Sequence, residues 1–178
     1  DGNLIFNWSA DDDDISYATL SNVPGPGSPT NDGPGSLEHS WNWSNGDLEE
    51  GKWSPRLTVY DDSGLSSSQT MHMGIDRSGP SAGTPSASSS GWIDTTSVSL
   101  TGLSNGASDN GGSGIDYYEI KIGDGEWQNA GATGSAALTL SEGVHTIYSR
   151  AVDRVGNAGD PTNTEIGVDL TIPLLGGW

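Results

Sequence analysis

The chain of 178 residues carries 24 acidic and six basic side chains, a formal net charge of −18, and no cysteine. That balance argues against nucleic acid or anionic lipid as a partner, since both need clustered Lys and Arg. Without cysteine, a disulfide scaffold, a thiolate nucleophile and a Cys-ligated zinc are excluded. No run of about 18 apolar residues occurs, so no spanning helix is expected.

Twenty-seven glycines and nine prolines would suit a disordered linker, but seven tryptophans in short alternating runs would not. In chain order, Leu4–Trp8 reads as a strand, and the acidic run Asp11, Asp12, Asp13 and Asp14 separates it from a second over Ile15–Leu20. Residues 22–36 are too rich in Pro and Gly to pair regularly. Leu37–Ser44 alternates again, Asn45-Gly46-Asp47 is a turn signal, and Trp53–Tyr60 is a strand closed by Asp61-Asp62-Ser63-Gly64. Ser67–Ile75 ends this block. Residues 79–90 have the composition of a linker.

Strand character resumes at Trp92 and Thr96–Leu103. A Gly, Asp and Asn loop, Asn105–Gly114, leads into the strand Ile115–Ile122 and a hairpin signal at Gly123-Asp124-Gly125. Ala136–Leu140 and Val144–Val152 are two further strands; the turn Asp153–Asn157 and the strand Glu165–Leu170 close the second block. No segment holds a helical apolar period over three turns, so the chain reads as all-β.

The blocks repeat one another. Ile15-Ser16-Tyr17 matches Ile115-Asp116-Tyr117, Leu57–Gly64 matches Ser149–Gly156, and Gly74–Pro80 matches Gly167–Pro173. The period from Pro80 to Pro173 is 93 residues, the size of one immunoglobulin-like sandwich. The expected plan is a first domain over 1–78, a linker over 79–90, a second domain over 91–173 and an apolar tail over 174–178.

Val152-Asp153-Arg154-Val155-Gly156-Asn157 resembles the V-D-x-x-G-N hairpin of bacterial and archaeal extracellular Ig-like repeats. Val168-Asp169 followed by Pro173 is similar to the V-D-x-T-x-P signature that joins such repeats, with the proline one position later. Leu57–Ser68 resembles the final hairpin of PKD-type domains. The resemblance implies two tandem immunoglobulin-like (PKD- or fibronectin-III-like) antiparallel β-sandwiches. It also implies a non-catalytic spacer, adhesin stalk or filament module, extracellular or on the cell surface, whose partners are other copies or neighbouring repeats. A carbohydrate-binding or accessory module of a secreted hydrolase, holding a surface glycan, is the competing expectation. Asp1 in place of an initiator Met is expected of a processed protein or a piece of a longer one.

The acidic loops are the candidate metal ligands. Asp11, Asp12, Asp13 and Asp14 are expected near Asp61 and Asp62, and Asp109 and Asp116 near Asp153. Calcium takes six to eight oxygens, several from carboxylates on flexible loops. Four consecutive aspartates cannot all face one ion, because neighbours in an extended chain point opposite ways. Calcium and a solvated acidic loop both remain open. Phe6, Trp8, Trp41 and Trp43 lie on common strand faces, as sandwich core or as a sugar platform. His39, His72 and His145 form no metal-binding motif. The sequons Asn7-Trp8-Ser9 and Asn42-Trp43-Ser44 place Asn7 and Asn42 outward if the tryptophans point in.

Overall fold

The computed structural model describes residues 4–10, 12–27, 30–32, 38–87 and 91–173. The chain divides into two compact units, Asp1–Asp76 and Arg77–Trp178. Among the described residues the regular structure is β, apart from a single 3-10 turn at Asn45–Asp47.

In unit 1 the strands are β1 (Leu4–Ser9), β2 (Ile15–Ser21), β3 (Thr30–Asp32), β4 (Glu38–Trp43), β5 (Gly51–Trp53), β6 (Arg56–Asp61), β7 (Ser66–Thr70) and β8 (Met73–Ile75). One sheet has the order β3-β2-β6-β7; β1-β4 forms the facing pair, and β5-β8 a small ribbon. Phe6, Leu20, Val23, Trp43 and Leu48 form the core. Phe6 and Trp43 meet edge to face, with ring centroids 5.7 Å apart. That geometry sets the positive edge of one ring on the negative face of the other.

Unit 2 comprises β9 (Ser86–Ala87), β10 (Trp92–Ile93), β11 (Ser97–Thr101), β12 (Ile115–Ile122), β13 (Gln128–Gly131), β14 (Ala136–Thr139), β15 (Gly143–Asp153) and β16 (Thr162–Val168). Its sheets are β10-β16-β15-β12-β13 and β14-β11-β9, the strand partition of an immunoglobulin-like sandwich. Strict alternation on β15 sends Ile147, Ser149 and Ala151 into the core, all at zero exposure. The buried Ser149 hydroxyl is satisfied by Thr162 Oγ1 at 3.1 Å and by the Gly83 carbonyl. Leu100, Leu103 and Val98 fill the other face. Each such side chain contributes about 1.5–3 kcal/mol by leaving water.

The internal repeat holds at the level of strand register. β2 and β6 pair Ile15 with Asp61, then bulge, then pair Tyr17 with Tyr60 and Ala18 with Val59. β12 and β15 pair Ile115 with Asp153, bulge at the same place, then pair Tyr117 with Val152 and Tyr118 with Ala151. The extra residues are Ser16 and Asp116. A bulge bends and twists its strand, so its recurrence marks a shared design.

Three expectations change. Within residues 22–36, Thr30–Asp32 pairs with β2, because this short stretch lacks Gly and Pro. The strand expected over Trp53–Tyr60 breaks at Pro55, which offers no N–H and instead accepts the Met71 N–H on its carbonyl. Finally, the stretch 79–90, of linker composition, is built into unit 2 as far as Ala87. Ser81 bridges to Ser108, the Gly83 N–H donates to the Leu103 carbonyl, and β9 pairs with β11. A Cβ on Gly83 would strike the Gly102 carbonyl, so glycine here permits backbone to pack on backbone. The tail over 174–178 lies outside the described residues.

Candidate cation-binding turns

In unit 1, β6 ends at Asp61 beside the start of β2, and this junction gathers the acidic residues. One carboxylate oxygen from each of Asp12, Asp14 and Asp61 lies within 4.8 Å of the others. The Asp62 N–H donates to the Asp14 carbonyl at 3.0 Å and fixes the loop to the turn. Asp61 is already employed in the turn. Its Oδ1 accepts the Ser63 hydroxyl at 2.7 Å and the Leu65 N–H at 2.8 Å. Gly64, at φ 85°, lets the chain reverse.

These contacts drive the two carboxyls in opposite directions. The Ser63 hydrogen bond, supported by backbone N–H groups, holds Asp61 below the usual carboxylate range. A hydrogen bond with Asp12 raises Asp14, helped by partial desolvation and by the charges of Asp12, Asp61 and Asp62. Asp13 sits exposed in the turn and Asp62 contributes its backbone; neither joins the three-carboxylate group found among the described residues. Asp11 lies outside the described residues.

In unit 2 the equivalent turn is deeper. Asp153 is 1% exposed. Its Oδ1 accepts the N–H groups of Val155 (2.9 Å) and Asn157 (2.8 Å), and its Oδ2 accepts the Asn157 side-chain amide (2.8 Å). The motif V-D-x-x-G-N is thus a self-satisfied turn: Asp supplies the acceptor, Gly156 the left-handed residue at φ 94°, and Asn157 three contacts with Asp153. Backbone bonds repeat those of unit 1, Asp153 N–H to Asn157 as Asp61 N–H to Leu65, and Arg154 N–H to Gly114 as Asp62 N–H to Asp14. Asp109 and Asp153 each bring a carboxylate oxygen within 4.8 Å of the other's. Asp109 is itself held by the Gly114 N–H at 2.5 Å. Asp116, the bulge residue, is exposed and stands outside this pair.

Phe6 and Trp43 are core residues, at 7% and 8% exposure. Trp8 is half-buried, Trp92 is 64% exposed, and the Trp41 and His39 side chains lie outside what is described. Asn7 and Asn42 are both exposed. His72 Nδ1 meets the Ser54 hydroxyl and His145 Nε2 the Ser141 carbonyl, and neither lies in an acidic group among the described residues.

Two features of the outer sheet faces escape sequence reasoning. Tyr17 and Tyr60 stack at 4.5 Å, 13° from parallel. In unit 2, two residues further along the equivalent strands, Arg150 pairs with Glu119 at 2.6 Å and lies 4.3 Å from the Trp127 ring centroid, with Lys121 near both the Trp127 and Tyr148 rings. Cross-strand register alone places these partners: Tyr17 faces Tyr60 and Glu119 faces Arg150.

No protein-family model matches the chain, and no curated protein does. Among solved structures it is similar to the fibronectin(III)-like modules of Clostridium thermocellum CbhA, at a TM-score of 0.40 and 15% identity, over 92% of this chain and 85% of that one.

Proposed function

We propose that the chain is a non-catalytic, extracellular structural module: two immunoglobulin-like units in series within a cell-surface or filament protein. One observation carries this reading, the path of the chain through unit 2. Ser81 bridges to Ser108, and a Cβ on Gly159 would strike the Pro80 carbonyl, so the chain comes in beside the Asp153–Asn157 turn. It leaves at Val168, which pairs with Gly143, and at Asp169, whose N–H donates to the Ile93 carbonyl. Gly143 and Asp153 are the two ends of β15, an 11-residue strand. At roughly 3.3 Å per residue those ends are about 33 Å apart. A unit threaded from pole to pole adds its length to whatever carries it.

The acidic turns fit the same reading as solvated loops. Their carboxylates serve as acceptors for turn N–H groups, and salt screens what repulsion remains. The glycan-binding alternative draws on the Tyr17–Tyr60 pair. Those rings stack on each other, so they present edges rather than the broad coplanar face that a sugar ring covers.

Small-angle scattering on arrays of one, two and three copies of the chain tests the spacer reading. The maximum dimension is expected to rise linearly, by at least about 30 Å per copy from unit 2 alone. Growth with the cube root of copy number, as for a collapsed globule, would overturn it.

A further inference from the structure

Tyr17 and Tyr60 face each other directly across β2 and β6, the first pair after the bulge. Their rings stack with centroids 4.5 Å apart and planes 13° from parallel. Tyr17 is 36% exposed and Tyr60 is half-buried, so small molecules in solution reach the pair. Register explains the contact. Directly opposed side chains on one face of an antiparallel pair have Cβ atoms about 4.5–5.5 Å apart, and two flat rings at that spacing lie one over the other.

Unit 2 lacks this arrangement. Its bulge sets Tyr117 in the place of Tyr17, but the partner there is Val152. Tyr118 is a core residue at 5% exposure, and Tyr148 faces Lys121. Among the described residues, which include all five tyrosines, no other two tyrosine rings meet. Aromatic stacking accounts for the Tyr17–Tyr60 pair as packing. It also holds two phenols in the geometry of a coupling reaction.

We propose that Tyr17 and Tyr60 form an oxidative crosslinking site, at which a one-electron oxidant driven by hydrogen peroxide joins the two rings as dityrosine. Each phenol gives up one electron and its hydroxyl proton and becomes a neutral phenoxyl radical, whose spin is shared with the ring carbons ortho to the oxygen. One of these carbons, a Cε, from each ring forms the new C–C bond. Each joined carbon then loses its hydrogen as a proton while a proton returns to the phenol oxygen, and both rings become aromatic again. Two electrons and two protons leave in all, and hydrogen peroxide accepts them to give two molecules of water. Free tyrosyl radicals must first meet in solution. Here the partner is already in place, which raises its effective concentration by orders of magnitude.

The bond would tie β2 to β6 covalently in a chain that has no cysteine. Residues 17–60 make up more than half of unit 1, so the tie closes a long loop in the unfolded chain and restricts it. The enclosed segment would no longer lengthen when the chain is pulled. Such a site would serve a spacer and a glycan-binding module alike.

Oxidation of the intact chain at high dilution tests the proposal, with a peroxidase and hydrogen peroxide in one arm and a small photogenerated ruthenium(III) oxidant in the other. The expected product is a monomer lighter by two hydrogens, with dityrosine fluorescence and a proteolytic fragment that joins Tyr17 to Tyr60. Tyr17→Phe and Tyr60→Phe are each expected to lower the yield of joined monomer about tenfold or more, and Tyr148→Phe to leave it unchanged. Circular dichroism confirms that the variants stay folded. In the joined form, the β2 and β6 amides are expected to resist exchange at urea concentrations that open the unjoined form. Three results would overturn the proposal: dityrosine formed only between copies, a yield of joined monomer that survives Tyr17→Phe, or oxidation in both arms that leaves residues 17 and 60 unlinked. A joined chain that exchanges like the unjoined one would overturn the stapling role.

Discussion

Removing the Asp153 side chain tests the reading of the V-D-x-x-G-N turn. In the Asp153→Ala variant three donors lose their acceptor: the N–H groups of Val155 and Asn157, and the Asn157 amide. A buried donor left unsatisfied costs about 1–3 kcal/mol. Val155 is 61% exposed, so water reaches that end of the turn, and the Asn157 carbonyl keeps its bond from the Asp153 N–H. About one to two donors then remain uncompensated, and the expected loss is about 2–4 kcal/mol, a large share of the 5–15 kcal/mol typical of a domain. Asp153→Asn keeps one oxygen for both backbone N–H groups, and Asn157 can turn its own amide oxygen toward the new NH2. Its expected loss is about 1 kcal/mol. Because two units need not melt together, the assay is urea-dependent hydrogen exchange of the β12 and β15 amides, which reports unit 2 alone. A change under about 0.5 kcal/mol for Ala, or an Asn variant as damaged as Ala, would refute the reasoning.

In unit 1, Asp14→Asn and Asp61→Asn should act in opposite directions. Asp14 titrates above its ordinary 3.8, so its contribution is complete below that value and lost as pH rises through the folded one; at pH 7 and low salt the Asn variant melts higher. Asp61 titrates below 3.8, so its contribution stands above that value and is lost as pH falls through the folded one; its Asn variant melts lower at pH 7, and the gap closes in acid. Like shifts in both variants at pH 7 would contradict the account. Melts in calcium and in chelator at matched ionic strength should coincide if the acidic turns are solvated; a higher midpoint in calcium would instead show an ion bound only to the native state. Leu100→Ala, at a position with zero exposure, should cost unit 2 about 2–5 kcal/mol and leave exchange in β2 and β6 unchanged.

The paired long strands were legible because β2, β6, β12 and β15 alternate and end in Asp- and Gly-rich turns, and the repeat gave their alignment. The short strands β5, β8, β9 and β10 were not, since two or three residues carry no period and pair only because tertiary structure supplies a partner. Composition misread residues 79–87: Gly and Pro that suggest freedom serve here for close approach, with Pro80 and Pro85 buried and Gly83 against Gly102. Asp12, Asp14 and Asp61 converge, while Asp13 lies outside their group and Asp116 is carried outward by the bulge.

The most direct measurement is single-molecule pulling of the intact chain between its termini. Two load-bearing units in series predict two separate unfolding events, their length gains in the proportion of 76 to 102 residues and each about 3.5 Å per residue released, less the folded span. A single event for the whole chain, or extension without any resolved force peak, would contradict the account.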